Sequence, residues 1–109
     1  MLTKEDAIAK VRSFIDALLA SGIPLDKVIL FGSHAKGRKN PDSDIDVVLV
    51  SNIFTGFGFE DRKYFSKINI RKEFVDIETK TYPSQYFEKG DPFIKEISKS
   101  GIEPFNSSH

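Results

Sequence analysis

Seven residues constrain this chain more than any others. Asp44-Ile45-Asp46-Val47-Val48-Leu49-Val50 is acidic at its start and apolar and β-branched beyond. Side chains branched at Cβ fit a pleated strand better than a helix, where they crowd the preceding turn. The segment therefore predicts a strand. Residues two apart on a strand point to the same face, so the carboxylates of Asp44 and Asp46 converge at its beginning. Two like charges that close are costly without a counter-ion. A hard divalent cation such as Mg²⁺, which prefers oxygen ligands, would relieve the repulsion. A pair of solvated acids at a strand end is the plain alternative, and these residues alone leave both open.

The elements around this strand alternate. Residues 3–20 read as a helix, with Thr3 as its cap and Glu5 and Asp6 in the first turn. Ile8, Val11, Ile15, Leu18 and Leu19 make one apolar face, and Gly22 and Pro24 end the helix. Residues 27–31 are a short apolar run that suits a buried strand, broken by Gly32 and Ser33. A polar stretch then runs to Ser43. Residues 51–59 read as an aromatic, glycine-containing loop, with Phe54, Phe57 and Phe59 read first as core or interface and otherwise as rings that could stack on a nucleobase. Residues 60–70 predict a helix with Tyr64, Phe65 and Ile68 facing inward. Residues 73–80 alternate at period two and predict a third strand. Pro83 suits the first turn of a further helix reaching about Lys99, kinked or split at Gly90 and Pro92. Gly101 stops that helix, and residues 102–105 add a short edge strand. Phe14, Phe31, Phe74 and Phe87 read as core. Helices alternating with strands give an α/β or α+β domain, here a single one over residues 1–109.

Composition narrows the chemistry. Lys+Arg is 16 and Asp+Glu is 16, and each half is balanced, with seven of each sign in residues 1–50 and nine of each in residues 51–109. A generic polyelectrolyte binder shows a basic excess, so the balance argues against one while leaving room for a local charged site. There is no cysteine, which removes disulfides, Cys-ligated zinc, iron–sulfur clusters and Cys nucleophiles. His34 and His109 are the only histidines, so a His-rich metal site is also excluded. A bound metal would need oxygen ligands. No apolar run approaches the roughly 20 residues that span a membrane, and residues 1–10 lack a hydrophobic signal core, so a cytoplasmic protein is expected.

Gly32 and Ser33 follow the first strand. Glycine lets a backbone approach a ligand closely, and a hydroxyl beside exposed N–H groups suits a phosphate. Taken alone, Ser33 is equally an ordinary cap. Joined to the acidic strand downstream, the pattern is more specific: strand, Gly-Ser, ten intervening residues, then Asp-x-Asp on a strand. This resembles the signature of the nucleotidyltransferase superfamily that includes DNA polymerase β-like enzymes. More narrowly, the chain is similar to the minimal nucleotidyltransferases, stand-alone domains of about this length. Ala35 and Gly37 match the family's Gly-Ser-x-Ala-x-Gly opening, and Ser43 its Ser-Asp-x-Asp. His34 departs from the family's usual Arg. The family needs a third carboxylate on a neighbouring strand. Asp76, between Val75 and Ile77, fits its Val-Asp-aliphatic pattern, and Glu78, on the same face at period two, is the alternate.

The resemblance implies a small mixed sheet packed with helices. It implies transfer of a nucleoside monophosphate, AMP from ATP, with loss of pyrophosphate. Asp44, Asp46 and Asp76 would hold one or two Mg²⁺ ions, and Asp76 could act as general base. Gly32 and Ser33 would hold the β- and γ-phosphates. Lys36, Arg38 and Lys39 would contact phosphate or acceptor, though a solvated basic loop reads the same way. Minimal domains of this kind often serve as the antitoxin beside a HEPN-domain ribonuclease, adding AMP to a tyrosine of that toxin, and this is the leading expectation. Transfer to a small molecule such as an aminoglycoside would need a separate acceptor-binding subunit. A non-catalytic partner-masking module is a third reading, disfavoured by the intact acids. Polymerisation and stable nucleic-acid binding are not expected; a homodimer or hetero-oligomer is.

Overall fold

The chain places apolar side chains on both faces of its first two strands, and this forces helices onto both sides of the sheet. The computed structural model describes residues 3–32, 44–90 and 92–107. Its elements are helix α1 (Lys4–Ala20), strands β1 (Lys27–Phe31) and β2 (Ile45–Ser51), short helices α2 (Gly58–Asp61) and α3 (Ser66–Asn69) flanking a 3₁₀ turn (Arg62–Tyr64), strand β3 (Ile77–Pro83), helices α4 (Ser84–Lys89) and α5 (Pro92–Ser100), and strand β4 (Ile102–Asn106).

The four strands form one mixed sheet in the order β3-β2-β1-β4. β1 pairs antiparallel with β2 and with β4, while β2 and β3 run parallel. Val28, Leu30, Ile45, Val47, Leu49 and Ile77 face α1, whose Ala7, Val11, Phe14, Ile15 and Leu18 are buried in the same cluster. The opposite face carries Ile29, Val48 and Val50, covered by Ile97 of α5 with Phe87 and Phe93 alongside. This is the mixed sheet packed with helices that the family resemblance implies. Gly101 lets α5 turn back into β4 under tight constraint. A Cβ there would lie 2.5 Å from the Ile97 carbonyl and 2.6 Å from Ile29 Cγ2, so only glycine fits.

Several local expectations are corrected. Residues 60–70 are not one helix: Phe65 adopts φ −135°, outside the helical region, as its ring buries edge-on against Phe14 and Phe54. Tyr64, expected inward, is 56% exposed. The third strand begins at Ile77 rather than residue 73. The amide of Asn69 donates to the carbonyls of both Phe74 and Ile77, tying the intervening backbone into a turn. Of the aromatic loop, Phe54 is core, whereas Phe57 and Phe59 are exposed. Pro83 closes β3 and occupies the cap position of α4 instead of its first turn. The split at Gly90 and Pro92 and the edge position of residues 102–106 are as expected. Among the described residues, no helix is long and apolar enough to cross a membrane.

Candidate active site

The site is assembled by strand register. Asp46 on β2 lies opposite Phe31 on β1 and opposite Glu78 on β3. Its side chain is on the α5 face with Val48 and Val50, because residues two apart share a face. Gly32 follows Phe31 with φ +79°. A Cβ on Gly32 would stand 2.6 Å from Asp46 Oδ2. The glycine therefore meets two demands: a left-handed backbone and room for the aspartate carboxylate.

Glu78 joins the pair from the neighbouring strand. A hydrogen bond with Asp44 pushes its carboxyl above the ordinary range, burial and the charges of Asp46 and Asp44 add to this, and Arg62 opposes it. Three acids on two adjacent strands thus repel one another at one end of the sheet. Beside them a cleft of about 300 Å³ is lined by Phe31, Asp46, Glu78, Thr79, Lys80 and Phe93. Lys80 Nζ rests 4.6 Å from the Phe93 ring centroid, and Phe93 meets Phe31 edge-on at 5.6 Å.

Asp76 lies elsewhere. It precedes β3, and its carbonyl accepts from the Ile45 amide, so its backbone sits in the register of the sheet. Its side chain, however, accepts from Lys10 Nζ of α1 at 2.9 and 3.2 Å, toward the opposite face. Of the residues the sequence points to, the structure brings together Gly32, Asp44, Asp46 and the alternate Glu78, and it draws Asp76 to Lys10. Ser33, His34, Lys36, Arg38 and Lys39 lie outside the described residues. Phe31, Lys80 and Phe93 join the site without a signal in the motif. Lys80 is detectable in the sequence, since it continues the period-two face of Glu78, but Phe93 reaches the cleft only through the packing of α5.

The donors fit a hard cation by chemistry, since all are carboxylates. Among the described residues, no three acids are already gathered as a ligand set.

Comparison with known proteins settles the class to which this geometry belongs. The model of the nucleotidyltransferase domain family matches residues 8–103, and the chain belongs to that family. Its fold is shared by the crystal structure of a candidate nucleotidyltransferase from Sulfolobus solfataricus, with a TM-score of 0.67 over 96% of this chain and 85% of that one. The two are 20% identical, so this likeness speaks for the fold. No curated protein matches the chain. The chain is thus a nucleotidyltransferase-domain protein, built for nucleotidyl transfer.

Proposed function

We propose that this chain transfers AMP from ATP to a hydroxyl group of a protein partner, in a Mg²⁺-dependent reaction, and that it serves as the antitoxin to a HEPN-domain ribonuclease. The observation that carries the chemical part is the meeting of Asp44, Asp46 and Glu78 beside Gly32 in a nucleotidyltransferase-domain chain. In the reaction, the acceptor oxygen forms a bond to the α-phosphorus, the bond to the pyrophosphate oxygen breaks, and the acceptor proton passes to a base. Bound divalent metal would supply charge neutralisation for the triphosphate and a lowered pKa for the acceptor hydroxyl.

The residues divide the work. Asp44 and Asp46 would hold the metal. Glu78 is our choice for the third carboxylate, in place of Asp76, because its side chain engages Asp44 while that of Asp76 is bound to Lys10. Glu78 would take the acceptor proton. Gly32 gives the Asp46 carboxylate room, and on family resemblance its backbone would contact phosphate. Ser33, Lys36 and Arg38 remain proposed phosphate contacts on family resemblance. The partner and antitoxin assignments rest on the same resemblance.

The test is incubation with [α-³²P]ATP, Mg²⁺ and a co-expressed HEPN-domain protein. Label should move to the partner, and Asp44→Asn with Asp46→Asn should abolish it. Undiminished transfer by the double variant would refute the mechanism; ATP hydrolysis or transfer to a small molecule alone would refute the acceptor.

A further inference from the structure

The zero net charge conceals a local excess. From Arg62 to Lys72 the chain carries five cations and no anion. All five are exposed. The broken helical segment brings three of them to one place. Lys63, Lys67 and Arg71 line a cleft of about 430 Å³ together with Tyr64 and Ser21, the C-cap of α1, and no acid lines it. Lys63 pairs with Glu60 at 3.2 Å, while Lys67 and Arg71 reach no acid within ion-pair distance among the described residues.

Part of this charge offsets α1, whose last turn has no cation of its own. A helix end amounts to about half a charge, so three cations, even with Glu60 deducted, leave about 1.5 positive charges facing solvent. The cleft shares no lining residue with the one beside Asp46 and Glu78.

The neighbouring rings decide what the charge is for. Tyr64 is 56% exposed and Phe59 73% exposed, with Lys63 Nζ 5.4 Å from the Phe59 ring centroid. Open rings among cations match a ligand that offers phosphates and unstacked bases together. An acidic protein surface would use the cations and leave the rings in water, and a duplex would keep its bases stacked. We infer that this cleft binds single-stranded nucleic acid, with Lys67 and Arg71 on phosphates and Tyr64 stacking on a base. The inference stands apart from the nucleotidyl-transfer reading and needs neither ATP nor metal.

Fluorescence anisotropy with labelled oligo(U) of about twelve nucleotides, in EDTA, tests it on the full chain. Binding should weaken about sevenfold from 50 to 200 mM salt, as two phosphate contacts require. Lys67→Gln with Arg71→Gln should weaken it at least tenfold at the lower salt, and Tyr64→Leu roughly tenfold, with the apolar contact to Phe54 kept. An unchanged unfolding midpoint shows that the variants fold. Absence of binding at 50 mM salt, or binding indifferent to the cation variants, overturns the inference. So does equal binding of poly-glutamate with Tyr64→Leu silent, which would mark a surface for acidic proteins instead.

Discussion

Gly32 and Asp46 touch so closely that one substitution should separate stability from function. In Gly32→Ala the new methyl meets the far end of a flexible carboxylate, which can swing away. The left-handed backbone costs about 1–2 kcal/mol. We expect urea unfolding to show a loss of that size while transfer falls far more, because the carboxylate that swings away is Asp46. Glu78 and Asp76 make a second contrast. Glu78→Gln should lower transfer at least about a hundredfold, the usual span for a lost general base. It should leave the unfolding midpoint at or above the parent's, since a source of like-charge repulsion is gone. Asp76→Asn should retain transfer and lose at most about 1 kcal/mol, because its bond to Lys10 is partly exposed and worth what surface ion pairs are worth. If Asp76→Asn is inactive and Glu78→Gln active, Asp76 is the third acid after all. The sequence narrows the choice to these two but does not make it. What separates them is a lysine sixty-six positions away on α1 and a turn tied by Asn69, and neither leaves a trace in the local period-two pattern.

At the scale of elements, the crossover between β2 and β3 is organised by one buried acid. Asp61 accepts from the Thr55 amide and hydroxyl, the Gly56 amide and the Thr81 hydroxyl, at 2.6 to 3.0 Å. Burial alone would push its carboxyl up, but these hydrogen bonds outweigh it and hold it below the usual carboxylate range. A depressed folded-state pKa means that its stabilisation is complete above the ordinary carboxylate pKa of about 4 and is lost as pH falls through the lower folded value. The unfolding midpoint should therefore hold from pH 7 to pH 5 and drop below about pH 4. In Asp61→Asn that drop should be smaller and start from a lower plateau. Asp61→Ala, which strands several buried donors, should cost about 3 kcal/mol by chemical denaturation. This network also explains why residues 60–70 break where their pattern predicts one helix. The apolar spacing is helical, yet Asp61 is pulled toward Thr55 and Thr81, and Phe65 toward Phe14, by contacts no window of neighbours contains. α1, β1 and β2 are legible in the sequence because their periodicity and their burial agree.

Across the whole molecule, charge of one sign gathers locally. Acids of β2 and β3 meet at one end of the sheet, and Lys63, Lys67 and Arg71 gather by the C-terminal end of α1. A balanced total is therefore uninformative about what this surface binds. The sheet also fixes which strands lie at its margins, and β4 is one of them. β4 covers the flank of β1, whose residues past Lys27 are all apolar. Its pairing slips between Val28 and Leu30, so that Glu103 and Pro104 fall at the irregularity. Proline has no N–H to offer a further strand, and a charge beside it discourages one. β4 thus acts as a guard against self-association. Detached from the sheet, it would bare a hydrophobic strand edge able to template pairing between chains, and a shortened chain lacking residues 102–109 should form β-rich aggregates on heating where the parent unfolds without them.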